Sequence, residues 1–108
     1  MKKMLGKIIK AKFGFGGYQG IQFGIWFTFE GKGWSVCDGI GTWSCEITEH
    51  TKWTEKDRSK FFDEVMRKAM DLCKKAKVQS FDQLVGIPVE VTFINNSIHN
   101  WKILEEVL

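Results

Sequence analysis

At 108 residues and 12.5 kDa, with 44% hydrophobic residues, 27% charged residues and one proline, the chain has the size and balance of one folded domain. A chain of this length buries roughly 65% of its unfolded surface, which is enough for one modest core. These figures exclude a disordered tail, a collagen-like repeat and a disulfide scaffold, and the length excludes a TIM barrel, a protein kinase or a two-domain dinucleotide enzyme.

The net charge of +3 is spread unevenly. Residues 1–12 carry five lysines and no acid, and residues 52–77 carry nine basic residues against five acidic ones. Such asymmetry suits an anionic partner. Arg58 and Arg67 are the only arginines, however, and bidentate reading of DNA bases favours arginine. Lys7, Lys10 and Lys12 interrupt any signal-like apolar run, and no stretch is long and apolar enough for a membrane span. Three cysteines (Cys37, Cys45, Cys73) make an odd count without a CxxC pair, which points to free thiols in a reducing cytosol. A soluble cytoplasmic protein, in contact with no membrane, is expected.

In chain order, residues 7–15 alternate, with Ile9, Ala11, Phe13 and Phe15 on one face and Lys10, Lys12 and Gly14 on the other. GGYQG at 16–20 reads as a turn, because glycine supplies positive φ angles. A second strand at 21–29 turns Ile21, Phe23, Ile25, Phe27 and Phe29 inward. Trp26 stands on the opposite face, where it packs beneath another layer, covers an interface or stacks on a ligand. Glu30-Gly31-Lys32-Gly33 forms the next turn, before a strand at 34–38 and an optional fourth at 40–47. Thr54 is set to cap a helix of about 22 residues, or roughly 33 Å, with Asp57 in the capping-box position. Its apolar stripe comprises Phe61, Phe62, Val65, Met66, Ala69, Leu72, Cys73 and Ala76, and only a sheet or partner helix can cover it. Ser80 and Gln83 suggest a helical turn at 81–85. Val89, Val91 and Phe93 then face inward from a strand at 87–94, Asn95-Asn96 makes a hairpin, and His99, Trp101 and Ile103 alternate in the last strand. The expected fold is α+β: an antiparallel sheet in the order β-β-β-(β)-α-β-β, packed against one long amphipathic helix in a single domain.

Chemistry-bearing patterns are few. Nine of the eleven glycines lie between 14 and 41, and ten of the fifteen aromatics lie between 13 and 53. Glycine loops bring backbone amides to phosphates and rings stack on bases, but no GK[ST] follows and no helix begins at the glycines. Gly16, Gly17, Tyr18 and Gln19 are candidate ligand contacts, with the hairpin turn as the plain alternative. Trp34 and Trp43 are read as flanking a GIG turn, with Asp38 beside it. Lys52, Trp53 and Arg58 open the helix, where an anion is attracted, although Trp53 also suits a hydrophobic staple. Cys37, Cys45 and His50 match no zinc spacing, and no metal or cofactor is expected. His50 and His99 are the only imidazoles, and no triad or carboxylate pair accompanies them, so non-catalytic binding is favoured over a small hydrolase using Asp38 and His50.

The order FGFGGYQ, GKGWSVCDGIGTW, KWTEKDR and GIPVEVTF resembles small phage- and prophage-encoded accessory proteins, from about residue 7 to the end. That resemblance implies a viral accessory role and carries no catalytic residues with it. It suggests counter-defence in the host cytosol: sequestering an anionic nucleotide signal or blocking a host defence protein. The alternative is a single-stranded nucleic-acid binder, with Lys10 and Lys12 following phosphates while Trp or Tyr stacks on bases. In the first reading the working surface joins the GGYQ turn, the Trp34–Trp43 segment and the Lys52–Arg58 helix start. Sheet edges and exposed aromatics make a homo-oligomer the expected state.

Overall fold

Among the described residues, the alternating segments and glycine turns produce five strands. A computed structural model describes the backbone of residues 1–44 and 51–108, and the side chains of these except Tyr18 and residues 41–44. The elements are β1 (Lys2–Gly16), β2 (Gln22–Gly31), β3 (Trp34–Ser44), α1 (Glu55–Ala76), β4 (Pro88–Ile94) and β5 (Ser97–Ile103). Short 3-10 turns occupy Tyr18–Gly20, Phe81–Leu84 and Glu105–Val107. All neighbouring strands pair antiparallel in the order β3-β2-β1-β4-β5, giving the expected α+β sheet with one long helix.

The turns follow the sequence. Gly17, Gln19 and Gly20 have φ of 75°, 58° and 66°, and the Asn95-Asn96 pair has 52° and 65°, the left-handed geometry of a two-residue hairpin. The glycines at 39 and 41 do not turn the chain. They lie within β3, whose register with β2 slips by one residue between the pairs Phe23↔Trp43 and Ile25↔Ile40. A bulge therefore replaces the expected GIG turn, and 40–44 continues β3; residues 45–47 lie outside the described part.

A second bulge corrects the first strand. The N–H of Ile8 donates to Ile87 O at 3.0 Å, and Ile8 O accepts from Gly86 N at 2.6 Å. Beyond this anchor the β1–β2 register slips between Ile8 and Lys10, leaving Ile9 as the extra residue. Ile8 is fully buried and Ile9 is exposed, whereas simple alternation placed Ile9 inward. The slip changes which parity faces the core: Met4, Gly6 and Ile8 before it, Ala11, Phe13 and Phe15 after it.

The concave face carries the core. Ile25, Phe27 and Phe29 of β2 meet Ile8, Val89, Val91, Ile103 and Leu84, and α1 adds Val65, Leu72 and Ala76. From β5, the Trp101 ring lies 5.0 Å from Phe27 and 4.8 Å from Phe29, centroid to centroid. In a flat sheet β5 and β3 would be about 19 Å apart. Here the Trp101 ring crosses the concave side to the β2 phenylalanines, and its indole lies close enough to Asp38 of β3 to favour that carboxylate, so the sheet curls and its two edges approach each other.

The helix starts as its capping box dictates: Thr54 Oγ1 accepts from Asp57 N at 3.2 Å, and Asp57 Oδ2 accepts from Thr54 N at 2.9 Å. Its apolar stripe is narrower than expected. Met66 is 61% exposed, and Phe62 and Cys73 are only half-buried, because the sheet curls away from the flank of the helix that bears them. The largest truncation cost therefore falls on the sheet. Phe29→Ala should lose about 3–5 kcal/mol, and Phe62→Ala less than half of that, measured as the shift in urea midpoint at constant slope.

Candidate functional site

The convex face has no helix over it. In-register pairing puts Lys3 and Lys7 of β1 on this side with Thr92, Glu90, Pro88 and Glu30, and past the bulge puts Lys10 and Lys12 there with Thr28 and Trp26. All four lysines are exposed, and none forms an ion pair with a described residue. Along one strand they extend about 30 Å. Lys102 adds a fifth cation from β5, opposite Glu90. Among the described residues of the five strands, Glu30 and Glu90 are the acids on this face, against five lysines.

At the far end of the row Trp26 lies flat on the sheet. Its Nε1–H donates to Gly14 O at 3.0 Å, and a Cβ on Gly16 would lie 2.6 Å from the ring. The glycines at 16 and 17 are thus a floor for an indole. The underside of Trp26 is covered by its own sheet rather than by another layer, and the residue stays partly exposed. A hollow of about 210 Å³ beside it is lined by Lys10, Lys12, Gly16, Gly17, Trp26, Thr28 and Cys37, and it also touches Phe27 and Asp38, whose paired positions turn their side chains to the concave face. Cys37 is an exposed free thiol, and its Sγ lies 3.4 Å from Thr28 Oγ1. Chemically, an ammonium row beside a partly exposed aromatic ring is able to pair with phosphates and to stack on a base.

The expected site residues do not share one surface. Gly16 and Gly17 border the hollow, and Asp38 touches it while its side chain turns to the concave face. Gln19 sits exposed in the adjoining 3-10 turn with Tyr18, whose side chain lies outside the described part. Trp34 pairs with Gly31 at the opposite end of β2 and β3, and on the concave face. Trp43 pairs with Phe23 near the hairpin tip, its side chain also outside the described part. Nine residue steps of extended strand, about 30 Å, therefore separate the two tryptophans. At the helix start the Arg58 guanidinium lies 5.3 Å from the Trp53 ring centroid and donates to both Glu55 carboxylate oxygens at 2.6 Å. That packing fills the staple position and holds the arginine locally, leaving Lys52 and Lys56 exposed. Cys45 and His50 lie outside the described residues.

Asp38 has a structural partner. Burial pushes its carboxyl above the ordinary value of 3.8, against the lowering effect of hydrogen bonds from the Gly39 backbone and Trp101. Sequence reasoning missed Lys3 and Lys7 as members of the row. The signal was present as two period-two lysine runs, out of phase by one residue, that a bulge brings onto one face.

Comparison of the chain with protein-family models, with curated proteins and with solved structures finds no match. Among the described residues, no helix is long and apolar enough to cross a membrane.

Two outcomes follow from this packing. Gly16→Ala should displace Trp26 and destabilise the fold by about 1–3 kcal/mol. Gly14→Ala, whose added Cβ would meet nothing nearer than 3.8 Å, should be far milder; paired thermal melts read the difference. For Asp38, the folded state holds its proton more tightly than the unfolded chain, so stability falls as pH rises from 3.8 through the raised value and stays lower above it. Asp38→Asn keeps an acceptor for Trp101 and should remove that fall. The variant should be at least as stable as the parent at neutral pH, and the gap should close below pH 3.8.

Proposed function

We propose that the protein is a non-catalytic binding protein, in keeping with a phage-type accessory role in the host cytosol, and that its convex face holds single-stranded nucleic acid. The observation that carries this reading is the row Lys3, Lys7, Lys10 and Lys12, exposed along β1 and ending beside the accessible face of Trp26. A row of about 30 Å exceeds one nucleotide and suits a chain of phosphates. Lysines act as point charges, so binding is expected to tolerate any sequence. Catalysis has no comparable support: the Asp38 carboxylate, the acid expected of a hydrolase, is engaged by Trp101 and Gly39.

A second reading, sequestration of one anionic nucleotide in counter-defence, draws on the hollow at Trp26, whose volume of about 210 Å³ has room for one base.

Quenching of tryptophan fluorescence by a dT oligonucleotide tests the first reading. With four lysines on phosphates, log K should fall with log salt at a slope of about −3, and the Lys10→Ala/Lys12→Ala pair should bring the slope to about −1.4. Binding that ignores salt, or none at low salt, would reject the strand. Saturation by a mononucleotide as tight as by the oligonucleotide would favour the second reading.

A further inference from the structure

The curl that joins β3 to β5 leaves a cleft at the other end of the concave face, between β3 and the β4–β5 turn. Its volume is about 570 Å³, within the range of sites for small organic ligands. No residue of α1 lines it. One wall is Trp34, held flat because the directly paired Gly6 and Gly31 have no side chains: a Cβ on Gly6 would come within 2.8 Å of Trp34 Cζ2, and one on Gly31 would meet the indole nitrogen. Phe93 stands edge-on to this ring, centroids 5.4 Å apart at 82°. Met4 pairs with Val91 on the same face and lines the cleft, with Val36 beyond it.

The rim is polar and one-signed. Lys2 pairs with Phe93, which puts its side chain on the concave face, and no acidic residue lines the cleft. Asn95 and Asn96 contribute exposed amides, each able to donate and accept, from a turn fixed by their left-handed backbone. Two rings, one ammonium and paired amides match a flat ring that carries hydrogen-bonding edges and an anionic group. We infer that this cleft is a second binding site, independent of the convex face, for a small heteroaromatic anion of the nucleoside monophosphate class.

The test uses the full chain labelled with ¹⁵N, with AMP as the probe and adenosine as its uncharged counterpart. Each tryptophan indole N–H gives its own signal, and Trp34→Phe identifies the one from the cleft. AMP should shift the Trp34 signal saturably and leave that of Trp26 in place. Adenosine and the Lys2→Gln variant should each weaken binding by about tenfold, the loss expected for one charge-assisted contact. Asn95→Gly with Asn96→Gly preserves the positive-φ turn and removes both amides, so it should weaken binding without lowering the melting temperature by more than a few degrees. No saturable shift at Trp34 with millimolar AMP, or equal affinity for adenosine, would overturn the inference. A shift confined to Trp26 would also overturn it and would assign the nucleotide to the convex hollow instead.

Discussion

Trp101 is the contact on which the rest of the molecule depends. It belongs to an edge strand, yet its ring packs on Phe27 and Phe29 of β2 and its N–H reaches Asp38 on the opposite edge. One side chain of this size can bury on the order of 200 Å², and placed here it converts a twisted sheet into a trough. Three consequences follow from that curl. α1 is confined to part of the concave face, so Met66 is left outside the core. Asp38 is drawn out of water and its proton affinity rises. The end of the trough that the helix does not reach stays open as a cleft.

Glycine pairs with tryptophan on both sides of the sheet. Trp26 lies over Gly16 on the convex side, and Trp34 lies over Gly6 and Gly31 on the concave side. In each case the missing Cβ lets a large ring lie against backbone, where a side chain would push it upright. The rings are thereby ordered without being sealed, which lowers the entropy that a stacking partner must overcome. This accounts for much of the glycine and aromatic richness in the first half of the chain. The glycines there chiefly serve turns, bulges and ring contacts, and a phosphate-cradling loop is not needed to explain them.

Local rules made the element types legible. The Thr54–Asp57 capping box, the 22-residue helix, the Asn95-Asn96 turn and the alternation in β2 and β4 all depend on near neighbours, and the structure has each of them. The candidate surface was less legible. Lys10 and Lys12 were readable as one wet face, but their alignment with Lys3 and Lys7 depends on a bulge at Ile9. That bulge is set by the Ile8 N–H donating to Ile87 O and by Ile8 O accepting from the Gly86 N–H, far along the chain. Likewise, Trp34 and Trp43 are nearby in sequence and tempting to group, yet an extended strand carries them to opposite ends of β3.

By itself, then, the amino-acid sequence determined which segments are strands and which is helix, because periodicity, caps and turn residues act within a few positions. Tertiary structure alone decided the strand order, the curl, the parity switch at Ile9 and the residues that meet in the cleft. Those outcomes rest on contacts between residues distant in the chain, such as Trp101 with Asp38 and Ile8 with Gly86, and no local pattern encodes such pairings.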